Sequence, residues 1–227
     1  MVDASQLDNP IWWALNSHHS ALKRQHGLAA RYPSDVSRLS GLAEPTRKVF
    51  ADLQALTPVG ETASLFTAEP VDVPSGWQVL RTQALEQMVC ESLELEQRVQ
   101  DVEALEQDNV PEMLALAAIT EPGPFSSGTI RLGRYFGIRG RGNQLAAMAG
   151  ERLRLQGFTE ISAVCTDPAY RGRGYAGALV LEIARRILAE GSKPFLHVKK
   201  QNNAKKLYET LGFKVRRSIQ LTVLKRG

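Results

Sequence analysis

Apolar residues recur at helical spacing from Ile11 to about His26, where Trp12, Leu15, His19 and Leu22 share one face after Asn9-Pro10. A second helix is predicted over Thr46 to Leu56, introduced by Pro45 and apolar at Val49, Leu53 and Leu56. The period then shortens. Ala63–Thr67, Trp77–Arg81 and Leu85–Cys90 read as strands, separated by Pro70, Pro74-Ser75-Gly76 and polar residues. The acidic, Gln-rich stretch Glu91–Gln107 is expected to hold a linker or a short strand near Val102–Leu105.

From residue 108 the pattern is more regular. Asp108 or Asn109 can cap a helix with Pro111 in its first turn, running through Met113, Leu114 and Leu116 to Ile119 and broken by Glu121-Pro122-Gly123-Pro124. Arg134–Arg139 and Gln144–Leu155 form a predicted hairpin about Gly140-Arg141-Gly142-Asn143, residues that accept positive φ. Thr159–Thr166 is a further strand, ended by Asp167-Pro168. A helix follows over Gly174–Ala189, then a strand over Phe195–Val198, a helix over Asn203–Leu211 and a last strand over Phe213–Val223. This order, strands with crossover helices, is that of an α/β or α+β sheet. It divides the chain into residues 1–100, an α/β segment of uncertain role expected to pack on the sheet and shape a binding site, and a domain over 101–227.

The 227 residues suit one large domain or one standard domain with a smaller one. Cys90 and Cys165 are too few for a disulfide framework or a complete zinc site, and His18, His19 and His26 lack metal-ligand spacing, so no metal is expected. His18, His19 and His26 are expected on a helix surface. No apolar run approaches the ~18 residues of a membrane span, and Met1-Val2-Asp3 lacks the layout of a secretion signal. A cytoplasmic protein is the expectation.

Charge changes the picture. Residues 1–100 hold 8 Lys+Arg and 12 Asp+Glu, a net of −4, whereas residues 101–227 hold 20 and 12, a net of +8. An anionic ligand or nucleic acid on the second part is implied. There is no aromatic interleaving or recognition-helix pattern to favour nucleic acid. The basic residues instead gather at Asp167-Pro168-Ala169-Tyr170-Arg171-Gly172-Arg173-Gly174-Tyr175-Ala176-Gly177, between a strand and a helix. Gly172, Gly174 and Gly177 match G-x-G-x-x-G, whose glycines and helix N-terminus make an anion site, and Arg171 and Arg173 add planar donors for a pyrophosphate. A dinucleotide fold also needs a carboxylate at the end of the next strand; here that strand ends Val198-Lys199-Lys200-Gln201.

Downstream, Asn203-Ala204-Lys205-Lys206-Leu207-Tyr208-Glu209-Thr210-Leu211-Gly212-Phe213 completes a second pattern. The R-G-x-G-x-A loop and the A-x-x-L-Y-x-x-L-G-F helix together resemble the GNAT superfamily of acyl-CoA-dependent N-acetyltransferases, over about residues 101–227. The resemblance implies a mixed, mostly antiparallel sheet with flanking helices, whose fourth and fifth strands splay so that acetyl-CoA pairs with the fourth. It implies that Val164, Cys165 and Thr166 offer backbone groups to the pantetheine arm and thioester. Arg171, Gly172, Arg173, Gly174, Tyr175 and Ala176 would wrap the pyrophosphate, and Tyr208 would stand near the sulfur. The family often has Asn seven residues before that Tyr; Gln201 stands there, so Asn202 or Asn203 takes the role with a shift. Lys199, Lys200, Lys205 and Lys206 surround the same strand and helix.

Acetyl transfer to an amine needs a neutral amine, a stabilised oxyanion and a protonated thiolate. At pH 7 a lysine amine (~10.4) costs roughly 4.6 kcal/mol to deprotonate and an α-amine (~7.8) about 1, so an α-amine needs only weak base help through water. Backbone N–H groups around Val164–Thr166 suit the oxyanion and Tyr208 suits the acid. Glu160 resembles the base of some family members, and alternation would put Glu160, Ser162, Val164 and Thr166 on one side of their strand. Glu151 is a second candidate. Cys165 has no evident His partner and reads as a buried apolar residue rather than a nucleophile. The readings that follow are an N-acetyltransferase acting on a small-molecule or peptide amine, or a catalytically silent CoA-binding sensor.

Overall fold

The alternating runs and helical stripes assemble, in a computed structural model that describes residues 3–94 and 101–227, around one eight-stranded sheet. In chain order the elements are α1 (Pro10–Leu15), β1 (Arg24–His26), β2 (Ala29–Arg31), β3 (Ser40–Leu42), α2 (Arg47–Leu56), β4 (Thr62–Thr67) and β5 (Trp77–Cys90). They continue as β6 (Glu103–Leu105), α3 (Val110–Thr120), β7 (Tyr135–Arg139), β8 (Leu145–Leu155), β9 (Phe158–Thr166), α4 (Tyr175–Ala189), β10 (Lys193–Lys199), α5 (Ala204–Thr210) and β11 (Phe213–Arg226). Residues 95–100, inside the stretch read as a linker, lie outside the described residues. No helix among those described is long and apolar enough to cross a membrane.

The sheet order is β4-β11-β5-β10-β9-β8-β7-β6, antiparallel throughout except for β9 with β10; β1, β2 and β3 form a small separate sheet. Strands from both sides of residue 100 share the large sheet. β5 lies between β11 and β10, pairing with both, and β4 forms the edge beyond β11. The two predicted runs Trp77–Arg81 and Leu85–Cys90 are one strand of 14 residues. Its polar middle, Arg81-Thr82-Gln83, breaks the alternation in sequence yet is held in register by Val223, Thr222 and Leu221 of β11.

Helices cover both faces. α4 packs Leu179, Ile183 and Ile187 against Met88, Ile161, Leu196 and Val198, with Tyr208 of α5 in the same cluster. On the opposite face α1 packs Ile11 and Leu15 on Leu85, Phe158 and Phe195, and α3 packs Met113 and Leu116 on Tyr135, Leu145 and Met148.

The first predicted helix is shorter than its pattern. The Asn16 and Ser17 side chains donate to the carbonyls of Trp12 and Trp13 at 2.9 and 2.6 Å and close α1 after Leu15. His19 is then not on a helix surface: it is buried, with Nδ1 2.7 Å from the Tyr32 hydroxyl, and desolvation lowers it to about 4. Arg24–His26 turns at Gly27 (φ +52) and pairs with β2 instead of continuing a helix.

Because β5 joins β10 to β11, we expect residues 101–227 alone to lose the sheet's continuity and show no cooperative thermal transition by circular dichroism. A fragment melting cooperatively near the full chain's Tm would contradict this reading of the sheet.

Candidate functional site

β9 and β10 run parallel for three pairs only, Phe158 with Lys193, Thr159 with Pro194 and Glu160 with Phe195. Past Glu160 the strands part, and that edge of β9 has no strand partner among the described residues. An unpaired strand edge presents N–H and C=O groups to any extended chain that can lie along it. The resulting cleft has a volume of about 520 Å³ and is lined by Ile161, Ser162, Ala163 and Val164 on one arm and Leu196, His197, Val198 and Lys199 on the other. Asn202 and Tyr208 line it as well, as do Glu121 to Pro124 after α3.

β9 does not alternate to its end. Ala163 has φ +53, and Ala163 and Val164 together oppose Ala149 between the pairs Gly150–Ser162 and Met148–Cys165. This bulge turns Ile161 and Val164 toward the α4 cluster while Ala163 and Cys165 join the α3 cluster. Glu160, Ser162, Val164 and Thr166 therefore do not share one side, as simple alternation predicted. Cys165 is buried among Met113, Leu145 and Met148, and desolvation pushes its thiol up. Cys165 and Thr166 pair with Met148 and Ala147 of β8, and of Val164, Cys165 and Thr166 only Val164 is among the residues that line the cleft.

The glycine loop lies between β9 and α4. Gly172 and Gly174 have φ of +78 and +80, and a Cβ at either would meet no heavy atom within 4 Å. Backbone conformation, not crowding, calls for glycine there, and it leaves the space before α4 open. Gly174 is the N-cap of α4 and no side chain caps it, so the first N–H groups of this 15-residue helix, from Tyr175, Ala176 and Gly177, have no partner within the helix. Arg171 and Arg173 are exposed and make no ion pair among the described residues. The anchor of the loop is Tyr170, which sequence reasoning passed over. Its buried hydroxyl accepts from the Arg141 N–H at 2.9 Å, its ring lies 5.3 Å beneath the Arg173 guanidinium, and a Cβ on Gly140 would come within 2.5 Å of the ring. The Gly140 turn and the loop are thus locked to each other. The only signal for this was an aromatic between Pro168 and Arg171.

Tyr208 is held by α5 against Phe213, nearly buried, with its ionisation pushed up to about 12 by desolvation. Asn202 accepts from the Ala204 N–H at 2.9 Å and so caps the entry to α5. Asn202 lines the cleft and Asn203 does not. Lys205 is paired with Glu86 at 2.8 Å, whereas Lys199 and Lys200 are exposed.

Glu160 stands at the last paired position of the fork. It is fully buried, accepts from Arg152 Nε and Nη2 at 2.9 and 2.5 Å, and lies 2.7 Å from His197 Nδ1. Burial pushes its carboxyl up, but Arg152 and His197 more than offset this and hold it at about 2. His197 Nε2 in turn faces the Gln87 amide nitrogen at 3.1 Å. A carboxylate so held is a weak proton acceptor. Arg152 and His197 line the cleft, while Glu160 lies behind them. Glu151 is buried elsewhere, bound by Arg134 at 2.5 Å.

The model of the FR47-like protein family matches residues 135–221. Among solved structures, a protein of Novosphingobium aromaticivorans, named as a candidate acetyltransferase of the GNAT family, is 38% identical with a TM-score of 0.90, over 97% of this chain and 98% of that one. The fold also matches a GCN5-related N-acetyltransferase from Kribbella flavida (16% identity, TM-score 0.65, 96% and 95% covered). A GCN5-related N-acetyltransferase-like protein from Streptococcus suis matches similarly (15%, 0.61, 95% and 92%). No curated protein matches at a significant level.

Glu160→Gln leaves Arg152 half-satisfied inside the protein, and such losses cost about 3–5 kcal/mol. The carboxyl lowered from 4.5 to about 2 contributes stability that is complete above pH 4.5 and lost as pH falls toward 2, about 3 kcal/mol in all. We expect the variant's Tm at pH 7 to fall by several degrees or more, and its stability to vary less with pH between 4.5 and 2. An unchanged Tm with abolished turnover would instead make Glu160 a base.

Proposed function

From the premise that the chain belongs to the GNAT family, we propose that it moves an acetyl group from acetyl-CoA to a primary amine by direct attack in a ternary complex. One observation carries the reading: the parallel pairing of β9 and β10 stops at Glu160 and Phe195, and the cleft it opens is faced by Tyr208. The open β9 edge suits the amide-bearing pantetheine arm. The Gly172–Gly174 turn, the free N–H groups of α4, Arg171 and Arg173 suit its pyrophosphate. Asn202 lines the cleft, which favours it over Asn203 for contact with the arm.

In the reaction the amine nitrogen bonds to the thioester carbon, the C–S bond breaks, and the proton lost by nitrogen ends on sulfur. Backbone N–H groups at the Ala163–Val164 bulge serve the oxyanion. Tyr208 donates a hydrogen bond to the departing thiolate. A phenol at about 12 lies well above an ordinary thiol near 8.5, so leaving a tyrosinate behind would cost roughly 5 kcal/mol. Its proton therefore passes to sulfur only as one from the acylated nitrogen, carried by water, replaces it. Glu160 acts behind the surface as a positioning residue, fixing Arg152 and His197, while solvent and the exposed carboxylate of Glu121 take the first proton, which the ammonium gives up before attack.

Incubation with acetyl-CoA and a panel of amines, following free thiol, tests the reading. Tyr208→Phe should lower kcat by about 10²-fold with the acetyl-CoA KM within about threefold. Replacing Arg171 and Arg173 together by Gln should weaken acetyl-CoA binding by about 10- to 100-fold. Turnover unmoved by Tyr208→Phe removes the acid role; tight binding without transfer to any amine identifies a sensor; binding indifferent to the arginines removes both.

A further inference from the structure

The cleft does not end at the fork. Phe66, Arg81, Pro124, Arg152 and Leu221 line it and also line a second chamber of about 180 Å³ toward β4. The strand register explains this floor. Phe66 pairs with Leu221 and Leu221 with Gln83, while Ser64 pairs with Val223 and Val223 with Arg81, so these side chains stand on one face of three neighbouring strands. The floor is apolar at Phe66, Leu221 and Val223 and carries one cation, Arg81.

The charges around it sort unequally. Arg152 is bound by Glu160 at 2.5 Å, and Arg38, at the chamber's outer side, by Glu61 at 2.7 Å. Arg81 has no carboxylate partner among the described residues. Lys199, the other unpaired cation of the lining, ends β10 beside Asn202, on the side assigned to the cofactor. Among the described residues one carboxylate lines the cleft, the exposed Glu121, on the loop that closes α3. Arg81 is itself exposed, at the edge of this mixed floor, and an unpaired guanidinium beside an apolar surface is matched by a planar anion, which it can grip through two parallel N–H bonds.

We propose that the acceptor is an amine that also carries a carboxylate and an apolar group, as an amino acid does, and that Arg81 binds the carboxylate. The inference rests on the transferase reading. The carboxylate is drawn to Arg81, the apolar part lies on Phe66, Leu221 and Val223, and the amine is turned toward the fork, where Glu121 at the rim favours its approach as a cation. Residues from the first hundred of the chain thus define what is acetylated.

The test uses the full chain, acetyl-CoA and matched acceptors with and without the carboxylate: phenylalanine against phenethylamine, leucine against isoamylamine, and 6-aminohexanoate against hexylamine. Thiol release gives kcat/KM, and calorimetry gives acetyl-CoA affinity separately. At least one carboxylated member should exceed its partner by about 10-fold or more. Arg81→Gln should remove about 10- to 100-fold for that member and less than about threefold for its partner, with acetyl-CoA affinity unchanged. Arg81→Glu should shift the preference to the uncharged-tail amines. Equal rates within every pair, an equal loss in both members, or no carboxylated acceptor used while acetyl-CoA still binds overturns the proposal and leaves the cofactor site standing; loss of acetyl-CoA binding by the unaltered protein overturns the transferase reading itself.

Discussion

The site depends on a buried ion pair at the point where two strands part. Hydrogen bonding between β9 and β10 ends at Glu160, and the Glu160 side chain there binds Arg152 of β8 and His197 of β10. Three strands are thereby tied at the base of the fork, so the gap above it opens from a fixed point. Removing two charges from water costs several kcal/mol, which the paired geometry returns only while all three members are present. The β4 side chain Phe66 completes the arrangement, with its ring 4.6 Å from that of His197 and 5.4 Å from the Arg152 guanidinium. Gln87 of β5 holds the far side of His197.

This arrangement joins the N-terminal segment to the chemistry. β5 stands between β10 and β11, while β4 supplies Phe66 and Ser64 to the face that the cleft opens onto. The acidic first hundred residues and the basic remainder are not two bodies side by side. Part of the basic excess, Arg171 and Arg173, stands exposed and unpaired among the described residues at the glycine loop, while the other end of the cleft is a mixed floor with its cations mostly paired.

Local features were legible in the sequence, and those made by distant pairing were not. The Gly172–Gly174 turn, the α4 stripe, the Phe195–Val198 strand and the Tyr208 helix each depend on residues close together in the chain, and their bounds agree with the structure to within a few residues. The membership of β4 and β5 in the large sheet depends on partners more than a hundred residues away, in β10 and β11. The Ala163 bulge gave no signal because nothing about alanine asks for positive φ. Glu160 resembles a family base in sequence, but nothing near it in the chain shows Arg152 and His197, which lower its basicity and support the positioning role proposed for it. Tyr170 and Arg81 were missed for a like reason, since the value of each comes from what surrounds it.

The central claim is that the unpaired edge of β9 receives an extended cofactor. Amide hydrogen exchange with and without acetyl-CoA measures this directly. Protection should rise at Ile161–Thr166 and at the first amides of α4, Tyr175 to Gly177, with little change in β6 and β7. Acetyl-CoA binding that leaves the β9 amides unprotected, or that protects only residues remote from the fork, would contradict it.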